Sequence, residues 1–314
     1  MTDIVTVTLN PALDIACDSG AVVPLHKLRT RNTTLDPGGG GINVARVVTA
    51  LGGAACAVIL AGGPIGAQLV ALAAAQIGAV PAIPTAGTTR ISMTVHDQSK
   101  GEEYRFVADG PAVTLDEFAA CRAAIGREPA PWLVASGSLP PGLPLDAYAI
   151  LARDAAARGQ FFVLDTSGLA LKAAIGSGLA LIKPSLGEFE ALVGQTLPDA
   201  ASQNAAALAM VRDGGATRIA VSLGGDGALL ATAEGVWRSA ALPVKAVGAV
   251  GAGDSFVAAM VLALSRGASP QEALAWGMAA GAAAVSATGT AHPPRALVEQ
   301  LFVQAMTQVT QDRS

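Results

Sequence analysis

The chain has 314 residues, 52% of them hydrophobic but only 4% aromatic, and carries a formal charge of −4. Such a length suits one large α/β domain with a small appendage, built from Ala, Val, Leu, Ile and Gly packed closely as helix on sheet. No run of Lys and Arg gives the footprint of a nucleic-acid binder, and Cys17, Cys56 and Cys121, widely spaced and in no CxxC pair, argue against a disulfide framework or a zinc site.

The first predicted strand covers Ile4 to Leu9 and runs into Asn10-Pro11-Ala12-Leu13-Asp14. Residues 12–36 then alternate polar and apolar positions without a helix, as do residues 88–109, where Ile91-Ser92-Met93-Thr94-Val95 and Tyr104-Arg105-Phe106-Val107 read as strands. These two stretches are expected to pair into a small separate sheet, a candidate lid and dimerisation surface.

Between them lies Asp36-Pro37-Gly38-Gly39-Gly40-Gly41-Ile42-Asn43-Val44-Ala45-Arg46, glycines opening onto a helix predicted over 42–52. Four consecutive glycines do not match a dinucleotide fingerprint. They read either as a hinge or as a place where backbone approaches a polyol, with Asn43 donating to and accepting from a hydroxyl. A strand over 56–61 and a helix over 66–77 follow. The uncharged stretch between Arg46 and Arg90 is interrupted by Gly62-Gly63-Pro64, Pro81 and Pro84, and the one from Ala273 to Pro294 is rich in Ala and Gly, so neither is expected to cross a membrane. The start, Met1-Thr2-Asp3, shows no secretory signal, and a cytoplasmic protein is expected.

Strands over 131–136, 161–165, 179–183 and 218–223 alternate with helices over 115–126, 146–159, 187–194, 202–214, 253–266, 270–287 and 294–308. This alternation predicts a doubly wound, mainly parallel sheet in one domain spanning residues 1–314. The helix at 253 opens from Val250-Gly251-Ala252-Gly253-Asp254-Ser255-Phe256. Free N–H groups at a helix start hold an anion, and a carboxylate beside them can take a proton from an attacking hydroxyl. Taken alone, the same tetrapeptide reads as a capping aspartate after a glycine turn. No P-loop and no protein-kinase signature occurs. His26, His96 and His292 lack metal-ligand spacing, and Trp132, Trp237 and Trp276 read as packing residues.

Six motifs in order and spacing, covering nearly the whole chain, resemble the PfkB carbohydrate kinases of the ribokinase-like group. They are Asn10 to Asp14, the glycine run with Asn43, Ser136-Gly137-Ser138-Leu139-Pro140-Pro141-Gly142, Lys183-Pro184, Ser222-Leu223-Gly224-Gly225-Asp226-Gly227 and Gly251 to Asp254. The resemblance implies a three-layer α/β/α core, a β-sheet lid from about 12–36 and 88–109 that dimerises, and Mg2+ with ATP as phosphoryl donor. It assigns the catalytic base to Asp254 and the anion hole to Gly251, Ala252 and Gly253. Nucleotide binding falls to Lys183, Ser185, Ser222, Gly224, Gly225 and Gly227.

Lys27-Leu28-Arg29, the glycine run and Gly101-Glu102-Glu103-Tyr104-Arg105-Phe106 look like the minor-type 6-phosphofructokinase branch. Substrate contacts are then expected from Asp14, Lys27, Gly39, Gly40, Asn43, Arg90, Arg105 and Ser138, the cations gathering on a sugar phosphate. Gly40 stands where 1-phosphofructokinases more often carry Lys. The implied reaction is ATP-dependent phosphorylation of fructose 6-phosphate at its 1-hydroxyl. 1-Phosphofructokinase and tagatose-6-phosphate kinase are near alternatives, and a non-catalytic sugar-phosphate sensor is a distant one. Two departures stand out. Ser185-Leu186-Gly187-Glu188 replaces the family's Asn-x-x-Glu, keeping Glu188 for the metal's hydration shell, and Ala287-Thr288-Gly289-Thr290 lacks the Asn beside the cation loop, which leaves K+ dependence open.

Overall fold

β-branched runs alternating with Ala-rich helical runs build the chain, which a computed structural model describes over residues 2–248, 250–286 and 293–312. The strands are β1 (Ile4–Thr8), β2 (Ala12–Ser19), β3 (Thr30–Gly38), β4 (Ala55–Ala61), β5 (Ala82–Pro84), β6 (Arg90–Asp97), β7 (Glu102–Val107), β8 (Trp132–Ser136), β9 (Phe161–Asp165), β10 (Leu179–Ile182), β11 (Ile219–Ser222), β12 (Ala228–Thr232), β13 (Gly235–Ser239) and β14 (Thr310–Asp312). The helices are α1 (Gly40–Ala50), α2 (Gly63–Ile77), α3 (Leu115–Gly126), α4 (Ala147–Ala157), α5 (Gly168–Ala174), α6 (Leu186–Val193), α7 (Ala200–Arg212), α8 (Ala252–Ser265), α9 (Pro270–Val285) and α10 (Arg295–Gln308).

One sheet has the order β14-β13-β12-β11-β10-β9-β8-β1-β4-β5. From β5 to β11 all pairings are parallel, and β12 to β14 extend it antiparallel. Both faces are covered, so β1, β4 and β8 are wholly buried and read as continuous apolar runs. Ile4, Ile59, Val134 and Leu181 pack with α1, α2, α8, α9 and α10. Val5, Val58, Leu133 and Leu164 pack with α3 to α7 on the opposite face. This is the expected α/β/α arrangement. The residues Ser255 to Leu264 of α8 are all buried between sheet and α9, which accounts for the helix's uninterrupted apolar character. No described helix is long and apolar enough to cross a membrane.

The two lid stretches form a second sheet, β3-β2-β6-β7. β2 and β6 run parallel from Ala12↔Arg90 to Ser19↔Asp97, and the outer strands pair antiparallel. The short elements β5, α5, β12, β13 and β14 were not anticipated by the pattern. β5 carries Pro84 at the sheet edge, where a missing N–H is tolerated, and α5 is too short for a full apolar period.

β1 has β4 on one side and β8 on the other, so the chain changes winding direction there. In open α/β sheets ligands bind beyond the carboxyl ends of strands at such a switch point. The lid strands β2 and β3 leave the core there, after β1 and before α1, and β6 and β7 follow β5.

Candidate active site

Gly251 takes a left-handed conformation, φ 76°, which glycine adopts without a steric cost, and caps α8. Ser255 N donates to Gly251 O at 2.9 Å as the first bond of the helix. The amides of Ala252, Gly253 and Asp254 precede that bond and have no acceptor within the helix. With the helix dipole they form a positive rim.

Asp254 is the third residue of that helix, directly over the switch point. Its Oδ2 accepts from Asn43 Nδ2 at 2.9 Å, and its Oδ1 accepts from Ser136 Oγ at 3.3 Å. Water reaches part of the residue, yet the carboxyl lies deep on the cleft floor. Burial, then repulsion from Asp165, pushes its pKa up to about 7, against the opposing pull of Asn43, Lys183 and Ser136. A base with that affinity takes and releases protons near neutrality.

The glycine run is a close-packed passage, which disposes of the hinge reading. A Cβ at Gly40 would collide with Ser136 Oγ and stand 3.0 Å from Asp254 Oδ1, and one at Gly38 would overlap the Asp14 carboxyl. Gly39 has φ 125°, a conformation other residues avoid. Any side chain at these positions would fill the space between the two aspartates.

Asp14 sits mid-strand in β2, flanked in register by Asp36 and Ser92. Burial, followed by the neighbouring Asp36, raises its pKa to about 6, while Arg90 and Arg46 pull the other way. Arg90 is tethered: Nη1 donates to Ala108 O at 2.7 Å and Nη2 to Asn10 O at 2.8 Å, leaving Nε buried without a partner. Ser138 Oγ accepts from Asn10 Nδ2 at 3.3 Å. Arg105, 45% exposed, pairs with Glu103 on the edge strand β7, and Lys27 is exposed between β2 and β3. Thus Asp14, Gly39, Gly40, Asn43, Arg90 and Ser138 gather at the junction of lid and core, whereas Lys27 and Arg105 stand out on the lid.

On the other side of Asp254, Lys183 Nζ lies 3.3 Å from Asp165 Oδ1, and a Cβ on Gly253 would come within 3.5 Å of the same ammonium. Burial works against the charge of Lys183, but Asp165, Glu188 and Asp254 together hold its pKa above the ordinary lysine value. Ser185 and Ser222 are bridged in parallel, and the turn Gly224–Asp226 follows, with Gly224 at φ 60° and open space at Gly224 and Gly225. A Cβ at Gly227, φ 105°, would strike Ser239 O.

Ser185, which departs from the family pattern, caps a helix. Its Oγ accepts from Glu188 N at 3.4 Å while Glu188 Oε2 accepts from Ser185 N at 2.8 Å, a reciprocal cap on α6. Three carboxylates around one ammonium leave the pocket short of positive charge. Among the described residues no three His, Cys, Asp or Glu side chains form a ready metal cage.

Two participants escaped the motifs. Asp165, the last residue of β9, was hidden inside an ordinary strand, though an acidic residue at the carboxyl end of a parallel strand was a usable signal. Tyr148, fully buried on α4, donates to Gly137 O at 2.8 Å and fixes the turn after β8. The segment Ala287 to Thr290, on which the potassium expectation rests, and His292 lie outside the described residues.

With this geometry in hand, the comparisons are specific. The model of the pfkB family carbohydrate kinases matches residues 7–296. The ATP-dependent 6-phosphofructokinase isozyme 2 of Mycobacterium tuberculosis (strain ATCC 25618 / H37Rv) is 42% identical over 314 residues, 99% of this chain and 92% of that protein. The protein of the same name from Escherichia coli (strain K12) is 41% identical over 292 residues, 92% of this chain and 94% of that one. The crystal structure of phosphofructokinase-2 from Escherichia coli in complex with fructose-6-phosphate is similar at a TM-score of 0.91 and 38% identity, over 97% of this chain and 99% of that chain.

Proposed function

Since the chain belongs to the pfkB family of carbohydrate kinases, we propose that it transfers the γ-phosphoryl group of ATP to the 1-hydroxyl of fructose 6-phosphate, giving fructose 1,6-bisphosphate and ADP. The observation that carries this reading is one carboxylate, Asp254, held by Asn43 and Ser136 within the first turn of a helix whose leading amides are free.

Asp254 accepts the proton of the sugar hydroxyl as its oxygen bonds to the γ-phosphorus. The bond from that phosphorus to the β–γ bridging oxygen breaks, and ADP leaves with the electron pair. The amides at 252–254 and the Lys183 ammonium stabilise charge on the transferring group. Asp14 and Asn43 orient the sugar hydroxyls past Gly39 and Gly40, and Ser138, Arg90, Arg105 and Lys27 serve the 6-phosphate. Ser185, Ser222, Gly224, Gly225 and Gly227 receive the nucleotide. Asp165 and Glu188 are the carboxylates that would hold Mg2+, which when bound would offset charge on the nucleotide phosphates. K+ is a candidate second cation.

The lid supports a second copy of the chain as partner. Leu35, Ile91, Phe106 and Val107 are apolar residues of one sheet that are exposed by 39% to 61%, and a neighbouring copy would cover apolar surface there. The cytoplasm, where ATP and sugar phosphates are found, is the compartment that fits.

Coupled ADP release measured on fructose 6-phosphate, fructose 1-phosphate, tagatose 6-phosphate and free fructose tests this reading. The expected result is a kcat/KM for fructose 6-phosphate at least about tenfold above the others. A preference for fructose 1-phosphate, or binding without ADP formation, would overturn it. Gly40, whose position admits no side chain beside Ser136, favours fructose 6-phosphate over fructose 1-phosphate.

A further inference from the structure

Arg46 lies one helical turn beyond Asn43 on α1, and its side chain is only 3% exposed. A guanidinium stays charged and can only donate. Its three contacts are therefore all acceptors: Nε to Gln76 Oε1 on α2 at 2.6 Å, Nη1 to Asn43 Oδ1 at 3.3 Å, and Nη2 to Asp36 Oδ1 on the lid strand β3 at 3.5 Å.

A primary amide has one accepting end and one donating end. With its oxygen committed to Arg46, Asn43 can turn only its NH2 toward Asp254, and that contact is the 2.9 Å bond to Oδ2. The flipped amide would set an oxygen against a carboxylate and an NH2 against a guanidinium, two repulsive contacts in place of two attractive ones. Rotation is thereby blocked at both ends.

We propose that Arg46 is a positioning residue for phosphoryl transfer: it holds the Asn43 amide with its N–H toward Asp254 and anchors that orientation to Asp36 of the lid and Gln76 of α2. The inference rests on Asp254 being the base, but the amide's orientation can be tested without turnover.

The test is the ionisation of Asp254 in the ligand-free protein, followed by NMR of 13Cγ-labelled aspartate and assigned with Asp254→Asn. The groups facing this carboxyl are Asp165 from β9, Lys183 beyond β10 with Glu188 of α6 acting on it, Ser136 of β8 and Asn43 of α1. Arg46→Lys leaves all of them and the charge in place but removes the fork. An N–H donor favours the ionised carboxyl, so freeing the amide should move the Asp254 midpoint upward by about half a pH unit to one. The acidic limb of kcat/KM should move with it, and turnover at pH 7 should fall about two- to sixfold.

In an Asn43→Ala background, Arg46→Lys should move the midpoint no further. A folded Arg46→Lys protein with an unchanged midpoint, or an additive shift in the double variant, would overturn the proposal. If Arg46→Lys does not fold, Gln76→Met removes the 2.6 Å anchor on α2; a smaller upward shift supports the proposal and an unmoved midpoint rejects it. A shifted midpoint in a protein without sugar-kinase activity would retain the positioning role and discard the function proposed above.

Discussion

The floor of the cleft and the lid above it are built on opposite terms. On the floor, Asp254, Asn43, Ser136 and Asp165 come from four elements of the buried core and Lys183 from the turn after β10, and they are joined by hydrogen bonds of 2.9 and 3.3 Å and an ion pair. Each is held by a backbone that packing has already fixed. On the lid, Arg105 pairs with Glu103 of its own strand, Lys27 faces water, and Phe106 and Val107 are more than half exposed. On the proposed reading, the proton-transfer groups lie within one chain, whereas the phosphate clamp would be completed by closure or by a neighbouring copy. Catalysis and recognition should therefore fail separately when mutated.

The largest expected effect is on the floor. Asp254→Asn should lower kcat about 100- to 10,000-fold with little change in KM for the sugar, as steady-state kinetics with saturating ATP would measure. In the unmodified protein, activity should fall as pH drops through about 7, because protonation removes the base. An Asp254→Asn variant whose KM rose while kcat held would erase the division of labour.

The lid cations come next. Removing Lys27 and Arg105 together, each to Ala, should raise KM for fructose 6-phosphate tenfold or more, from the loss of charge-assisted hydrogen bonds of about 1.5–3 kcal/mol each. The kcat at saturation should hold within about threefold. The converse pattern would place these residues in the chemistry. Smallest in its effect on chemistry is Phe106→Asp, which puts a charge on the apolar lid face. It should shift the mass measured by light scattering toward the monomer and weaken sugar binding, leaving the pH limb set by Asp254 unmoved. An assembly unaffected by the substitution would remove the lid as the contact between copies.

The motifs made much of this floor legible. Gly251-Ala252-Gly253-Asp254 marks a helix start that can hold an anion, and the glycine run before Asn43 marks a close approach, because both signals are local in the chain. Asp165 escaped notice because its role comes from standing 3.3 Å from a lysine many residues away. Ser185 gains a second meaning in the fold. As a letter it is a missing Asn; in the fold it is half of a reciprocal cap with Glu188. Arg46 reads in the sequence as one more charged residue on a helix, and its burial against α2 and β3 gives it a different meaning.

Strand and helix periodicity, with the glycines that open α1 and α8, determined by themselves that this chain would wind a mainly parallel sheet and open two helices from glycine turns. Those features depend on neighbours a few residues apart, where side-chain alternation and backbone freedom act directly. Only the tertiary structure decided which carboxylates share a lysine, which way the Asn43 amide faces, and that Lys27 and Arg105 stay apart from the core. These follow from burial and from distances between remote segments, and a charge or an amide acquires its chemistry from the partners that folding brings to it.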